Sequence, residues 1–235
     1  MNPNDPNVAM VEAVAARLGA LRERMVFVGG CAAGLLITDP ALPAIRATED
    51  VDVVVEVARL SDYHKLEKEM AAAGFERDMR DGAPICRWRF GEAVLDLMPV
   101  DKKILGFGNR WYPLAVRTAH SATLPSGAEI RLIRAPLFIA TKLEAFLDRG
   151  KGDFLMSHDL GDALAVIDGR ETLLAEFETV DAQVAGFVGG VVASLLATQK
   201  FASYLPGHLP GDAASQARLP ELEAKLARIA ELAKR

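Results

Sequence analysis

Two carboxylates, Asp50 and Asp52, stand one residue apart in Arg46-Ala47-Thr48-Glu49-Asp50-Val51-Asp52, which runs directly into Val53-Val54-Val55-Glu56-Val57. The β-branched run predicts a strand. Side chains alternate along a strand, so both carboxylates would leave the same face with their oxygens close together. Like charges that near each other resist joint ionisation unless a cation lies between them. A hard divalent ion such as Mg2+ takes carboxylate oxygens and keeps positions open for phosphate and water. The plain alternative is a strand end with Asp facing solvent, because turns there favour Asp.

Neighbouring segments favour the chemical reading. Upstream, Met25-Val26-Phe27-Val28 is a short apolar strand, followed by Gly29-Gly30 and the small-residue run Cys31-Ala32-Ala33-Gly34-Leu35-Leu36. Strand, paired glycines and a helix start let backbone N–H groups approach a phosphate at the positive helix terminus. Downstream, Asp96 sits between Leu95 and Leu97 in the apolar stretch Glu92 to Pro99. A carboxylate inside such a strand is costly to bury without a partner. A third metal-facing group would account for it.

Gly29-Gly30, the Arg-x-Thr-x-Asp-h-Asp string at 46–52 and the lone strand Asp96 together resemble the nucleotidyltransferase (polymerase-β-like) superfamily, and within it the AbiEii/MenT-type group, several of whose members are toxins of toxin–antitoxin pairs. The resemblance implies an α+β fold: a nucleotidyltransferase-type mixed sheet with helices, followed by a helical C-terminal region. It implies that Gly29 and Gly30, with Arg46 and Thr48, hold a nucleoside triphosphate such as ATP. It further implies that Asp50, Asp52 and Asp96 are catalytic and hold Mg2+, as two ions, with Asp96 helping to activate the attacking hydroxyl. Lys142, in Ala135-Pro136-Leu137-Phe138-Ile139-Ala140-Thr141-Lys142, occupies the place of the family's triphosphate-facing lysine. The family's acidic residue in the next helix falls on Asp159 or Asp162; Asp159 is favoured, although His158 stands where Arg is frequent and Gly161 interrupts the helix. A solvated helix lysine is the competing reading of Lys142.

The activity so implied is Mg2+-dependent transfer of a nucleoside monophosphate from an NTP to an acceptor hydroxyl. An RNA acceptor such as the tRNA 3′ end, and a cognate antitoxin protein, are the partners the resemblance suggests. Two other readings stay open: a small-molecule transferase of the antibiotic-modifying kind, and a non-catalytic NTP-binding regulatory protein with the same fold.

The remaining sequence supplies the scaffold. The spacing of Val8, Val11, Val14, Ala15 and Leu18 predicts a helix over 8–21, and Ser61 is a candidate cap for one through Ala73. Strands are expected at 85–90 and 92–98 around a Phe90-Gly91-Glu92 turn, and again near 113–117 and 129–133. From Ala135 the pattern is nearly all helical, with Pro136 near the first turn of one helix, Ser157 as N-cap of another, a loop at 205–212 and an amphipathic helix from Pro220. This divides the chain into a catalytic domain, 1–134, and a helical domain, 135–235, expected to contribute to the active-site cleft.

At 235 residues and 51% hydrophobic content the chain can bury a sizeable core, and a net charge of −5 argues against nonspecific coating of nucleic acid. Arg87, Arg89, Lys102, Lys103, Arg110, Arg117, Arg131 and Arg134 could still form a local acceptor groove, with Trp88, Trp111 and Tyr112 as stacking or core aromatics. Cys31 and Cys86 lack zinc-ligand spacing and fit a reducing compartment. The polar start Met1 to Asn7 has no leader character, and the apolar run Val184 to Thr198, 15 residues, is short of the roughly 20 that cross a bilayer. A cytoplasmic location with no membrane partner is the expectation.

Overall fold

Alternating and β-branched apolar runs become strands, and 3.6-residue patterns become helices, in a computed structural model that describes residues 5–42, 45–57, 59–150 and 152–234. Met1 to Asn4 of the polar start and Lys151 of the loop after Arg149 lie outside the described residues. The chain divides into two compact units, one built from Pro3–Leu35 and Arg46–Arg134, the other from Leu36–Ile45 and Ala135–Arg235.

The first unit is a mixed sheet of seven strands: β1 (Met25–Val28), β2 (Val51–Val55), β3 (Glu76–Arg77), β4 (Arg87–Phe90), β5 (Ala93–Pro99), β6 (His120–Thr123) and β7 (Glu129–Leu132). Their order is β3-β4-β5-β2-β1-β7-β6, with β2–β5 and β1–β7 parallel and the other pairs antiparallel. Val53, Val54, Leu95, Leu97, Val26 and Phe27 are fully buried in the central strands. Each such side chain contributes on the order of 1.5–3 kcal/mol through burial. Helix α1 (Val8–Leu18) buries Val11, Val14, Ala15 and Leu18, the predicted stripe, and a 3₁₀ segment over Gly19–Arg24 ends it before β1. Helix α2 (Gly29–Leu36) follows β1 without a gap. Helix α3 (Leu60–Ala72) buries Tyr63, Leu66 and Met70, and the Tyr63 hydroxyl donates to the Leu97 carbonyl at 2.8 Å. Arg59 rather than Ser61 takes its N-cap position.

The segment near 113–117, expected as a strand, is helix α4 (Tyr112–Thr118). Pro113 falls in its first turn, where a missing N–H costs nothing. Thr118 Oγ1 closes the last turn on the Leu114 carbonyl at 2.8 Å. The strand of that region is β6, a few residues later.

The second unit is helical: α5 (Ala135–Arg149), α6 (His158–Gly169), α7 (Leu173–Thr179), α8 (Ala182–Leu196), α9 (Gln199–Tyr204), α10 (Ala213–Gln216) and α11 (Leu219–Ala230). Pro136 sits in the first turn of α5, and Ser157 caps α6 by accepting from the Leu160 N–H. Thr38 and Asp39 both donate backbone N–H groups to the Gly169 carbonyl at 3.0 Å, tying the 36–45 segment to the end of α6. In α8 a Cβ on Gly189 would lie 2.4 Å from the Ala233 nitrogen, so this glycine permits close backbone approach, whereas Gly186 and Gly190 face open space. Among the described residues no single helix is long and apolar enough to cross a membrane.

Candidate active site

The sheet register builds the first cluster. Val28 of β1 lies opposite Asp52 of β2, Asp52 opposite Asp96 of β5, and Asp96 opposite Arg87 of β4. Residues directly opposite on neighbouring strands share a face. Asp52, Asp96 and Arg87 therefore form one row across three strands, and Asp50 lies one residue before β2 on the loop that feeds it.

Arg87 fastens the row. Its Nε donates to Asp96 Oδ1 at 2.8 Å and its Nη2 to Asp96 Oδ2 at 2.8 Å, a two-point fork on a carboxylate that is only 7% exposed. The same Nη2 also donates to Asp50 Oδ2. The hydrogen bonds to Asp96 hold the Arg87 pKa above its ordinary value against the opposing effect of burial. Beside it, burial and then the Asp96 charge push the Cys86 thiol up to about 12, so Cys86 stays a thiol. The sequence reading placed Arg87 in a basic groove and missed this role. A signal existed: the tight turn at Gly91-Glu92 pairs Phe90 with Ala93, and counting back from it sets Arg87 against Asp96.

Gly29 backs Asp52. Its φ is +68°, and a Cβ there would fall 1.8 Å from Asp52 Oδ2. Both facts exclude a side chain. Gly29→Ala should cost at least about 1 kcal/mol for the left-handed backbone alone. It should also displace the Asp52 carboxylate, lowering the melting temperature together with the nucleotidyl transfer proposed for this chain. Unchanged transfer with a lowered melting temperature would show that the contact serves folding only.

Asn7, also missed, holds the limb that leads to Asp50. It is 1% exposed; its Oδ1 accepts from the Thr48 N–H at 2.7 Å, and its Nδ2 donates to the Arg46 carbonyl at 3.1 Å. Thr48 Oγ1 lies 3.0 Å from Asn7 Oδ1 and 3.3 Å from the Asp50 carbonyl. An amide, with both donor and acceptor, can grip two backbone groups at once. Thr48 is half-buried and Arg46 exposed. No local pattern pointed to Asn7, since its partners lie some forty positions along the chain.

The helical unit holds the second cluster. Lys142 on α5 is 8% exposed, and its Nζ lies 3.2 Å from Asp159 Oδ1 and 2.7 Å from Asp162 Oδ2, both on α6. Arg149, two turns beyond Lys142, forks onto Asp159 at 2.8 and 3.0 Å. Burial alone would raise the Asp159 pKa, but the Arg149 hydrogen bonds and the Lys142 and Arg149 charges hold it below the usual carboxylate range. Lys142 is thus not a solvated helix lysine. Asp159 and Asp162 share the helix face that meets it, being three residues apart.

The donor chemistry of Asp50, Asp52 and Asp96 suits a hard cation, and the adjoining Arg87 guanidinium shows that the set attracts positive charge. Among the described residues no three His, Cys, Asp or Glu side chains converge as cation ligands, and Arg87 lies on Asp50 and Asp96. The expected basic groove is partly spent on scaffolding: Arg131 donates to the Val116 carbonyl and Arg134 to the Thr118 carbonyl, each at 2.7 Å. Trp88 and Trp111 are buried at 3% and 7% exposure and serve the core.

Asp96→Asn tests the row. The amide keeps one acceptor but loses the charge that pairs with Arg87, and loss of a charged hydrogen bond costs about 1.5–3 kcal/mol. Transfer and melting temperature should both fall. A lowered melting temperature with turnover per folded molecule unchanged would make Asp96 a structural residue only.

No protein-family model matches the chain, and no curated protein matches it. Among solved structures it is similar to an antigenic nucleotidyltransferase-like protein from Paracoccidioides brasiliensis, at 21% identity over 97% of this chain and 94% of that one, with a TM-score of 0.49. It is also similar to the antibiotic-resistance factor ANT(2'')-Ia, at 14% identity over 73% and 91% with a TM-score of 0.45. JHP933 from Helicobacter pylori aligns at 15% identity over 96% and 88% with a TM-score of 0.44. Values this low establish neither kinship nor activity, which leaves the residues of the two clusters to carry the functional reading.

Proposed function

We propose that this chain is a nucleotidyltransferase that moves a nucleoside monophosphate from an NTP to an acceptor hydroxyl. The observation that carries the reading is the placement of Asp52 and Asp96 directly opposite each other on β2 and β5, with Asp50 joined to Asp96 through Arg87 and Gly29 packed against Asp52. In the transfer the acceptor oxygen bonds to the α-phosphorus and the bond to the bridging oxygen breaks. Pyrophosphate leaves with that electron pair, and the hydroxyl proton is released to water.

Asp50, Asp52 and Asp96 would hold Mg2+, as two ions. When bound, the metal offsets charge on the attacking and leaving oxygens of an in-line displacement. The Gly29-Gly30 turn sets the start of α2 against Asp52, where its backbone N–H groups would meet phosphate oxygens. Thr48 and Arg46 flank the carboxylates on a limb fixed by Asn7. Lys142 and Asp159 enter the proposal as nucleotide-site residues through the family resemblance alone. The same resemblance supports an RNA acceptor, the tRNA 3′ end, and a growth-inhibiting role restrained by a separately encoded antitoxin.

Incubating the whole chain with each α-labelled NTP, Mg2+, and either tRNA or a panel of aminoglycosides tests the acceptor. Label on tRNA supports the reading, and label on the small molecules redirects it to the antibiotic-modifying class. Binding of NTP with no transfer to any acceptor would favour a regulatory protein.

A further inference from the structure

A divalent ion shared by Asp50 and Asp96 would put its charge where one atom of this protein already puts a charge. Arg87 Nη2 donates to Asp96 Oδ2 at 2.8 Å and to Asp50 Oδ2 at the same time. Building on the carboxylate reading above, we propose that Arg87 is a built-in counter-cation: it closes the carboxylate set when no ion is bound, and an entering ion displaces it from Asp50 while it stays on Asp96.

Three features point this way. The first is charge: Arg87 brings a single positive charge to the two carboxylates it touches, Asp50 and Asp96. A guanidinium is also a weakly hydrated monovalent ion, a modest competitor for a divalent one. The second is anchorage. Arg87 and Asp96 are register partners on adjacent strands, so their two-point contact is built into the sheet. Asp50 lies on the loop before β2, and its contact with Arg87 is a single hydrogen bond. The weaker link is therefore the one on Asp50. The third is mobility of the right kind. The Arg87 backbone is pinned by its N–H to the Pro84 carbonyl at 2.9 Å and its carbonyl to the Asp78 N–H at 3.0 Å. Its side chain is 20% exposed, which leaves it a solvent path to swing along.

The role differs from that of a structural fastener in its effect on ion affinity. A fastener stabilises the sheet and leaves affinity alone; a counter-cation stabilises the ion-free protein and weakens ion binding. Mn2+ alone, titrated into the whole chain by calorimetry and by the electron paramagnetic signal of the free ion, reads the difference without any turnover. Arg87→Met keeps the stem and removes the charge. It should bind Mn2+ at least tenfold more tightly than the parent. Its melting temperature in chelator should drop by several degrees, and Mn2+ should restore most of that loss. Arg87→Lys retains a charge that meets one carboxylate at a time, folds as the parent does, and should bind Mn2+ with intermediate affinity.

If parent, Arg87→Met and Arg87→Lys bind Mn2+ equally, Arg87 is a fastener and the inference fails while the carboxylate site stands. If none of the three binds Mn2+ at millimolar concentration, the metal reading of the carboxylates fails and the counter-cation role fails with it.

Discussion

Asp52→Asn should leave the fold intact and remove nucleotidyl transfer. Asp52 is half-buried in the middle of the row, between the Gly29 turn and Asp96, and its neighbours Val51 and Val53 are fully buried. The amide fits the same space. It lowers the negative charge shared with Asp50 and Asp96, so the ion-free protein should melt at or slightly above the parent temperature. Function should respond in the opposite direction. An amide is a poor ligand for a hard cation, and a triphosphate misplaced by about an ångström loses on the order of 100-fold in rate. Loss of a charged ligand adds to that. Circular dichroism and transfer measured on one preparation separate the effects, and near-normal turnover at saturating NTP would remove Asp52 from the site.

Lys142→Ala should have the largest effect on stability. Lys142 sits at 8% exposure between Asp159 and Asp162. Removing one partner of a buried ionic cluster costs about 3–5 kcal/mol, because the opposite charges stay buried. Arg149 keeps its fork on Asp159. For a chain of this size such a loss lowers the melting temperature by roughly 6–20 °C. A solvated helix lysine, the competing reading of Lys142, would give no thermal effect; burial of the ammonium at 8% exposure reverses that. Lys142→Met, which keeps the stem, should recover part of the packing and none of the charge. A Lys142→Ala protein that melts with the parent would contradict the buried cluster. An unchanged NTP titration on the folded fraction would remove Lys142 from nucleotide binding.

What was legible from sequence had a local cause. The strands at Met25 and Val51 announce themselves through β-branched residues, the Asp50/Asp52 spacing through the period of two, and α5 through Pro136 and its apolar stripe. The α+β class is the one the family resemblance implied. What was not legible depends on partners far along the chain. Asn7 looks like a helix N-cap, and it occupies that position at α1, but its side chain makes no cap bond and grips Arg46 and Thr48 instead. The choice between Asp159 and Asp162 was open because His158 stands where Arg is frequent and Gly161 lies inside the helix, and Lys142 in fact meets both. Residues 36–45, assigned by position to the catalytic half, belong by contact with the helical unit. Helix α4 was mistaken for a strand because Leu114-Ala115-Val116 is apolar without a decisive period, and a seven-residue helix is too short to display one.

The central claim is attack on the α-phosphorus of an NTP at the Asp50/Asp52/Asp96 row. Running the reaction twice, once with α-labelled and once with γ-labelled NTP, tests it most directly. The account predicts α-label covalently on the acceptor, γ-label released as pyrophosphate in equal amount, and neither product with Asp52→Asn. Transfer of the γ-label to the acceptor, or equal product from Asp52→Asn, would contradict it.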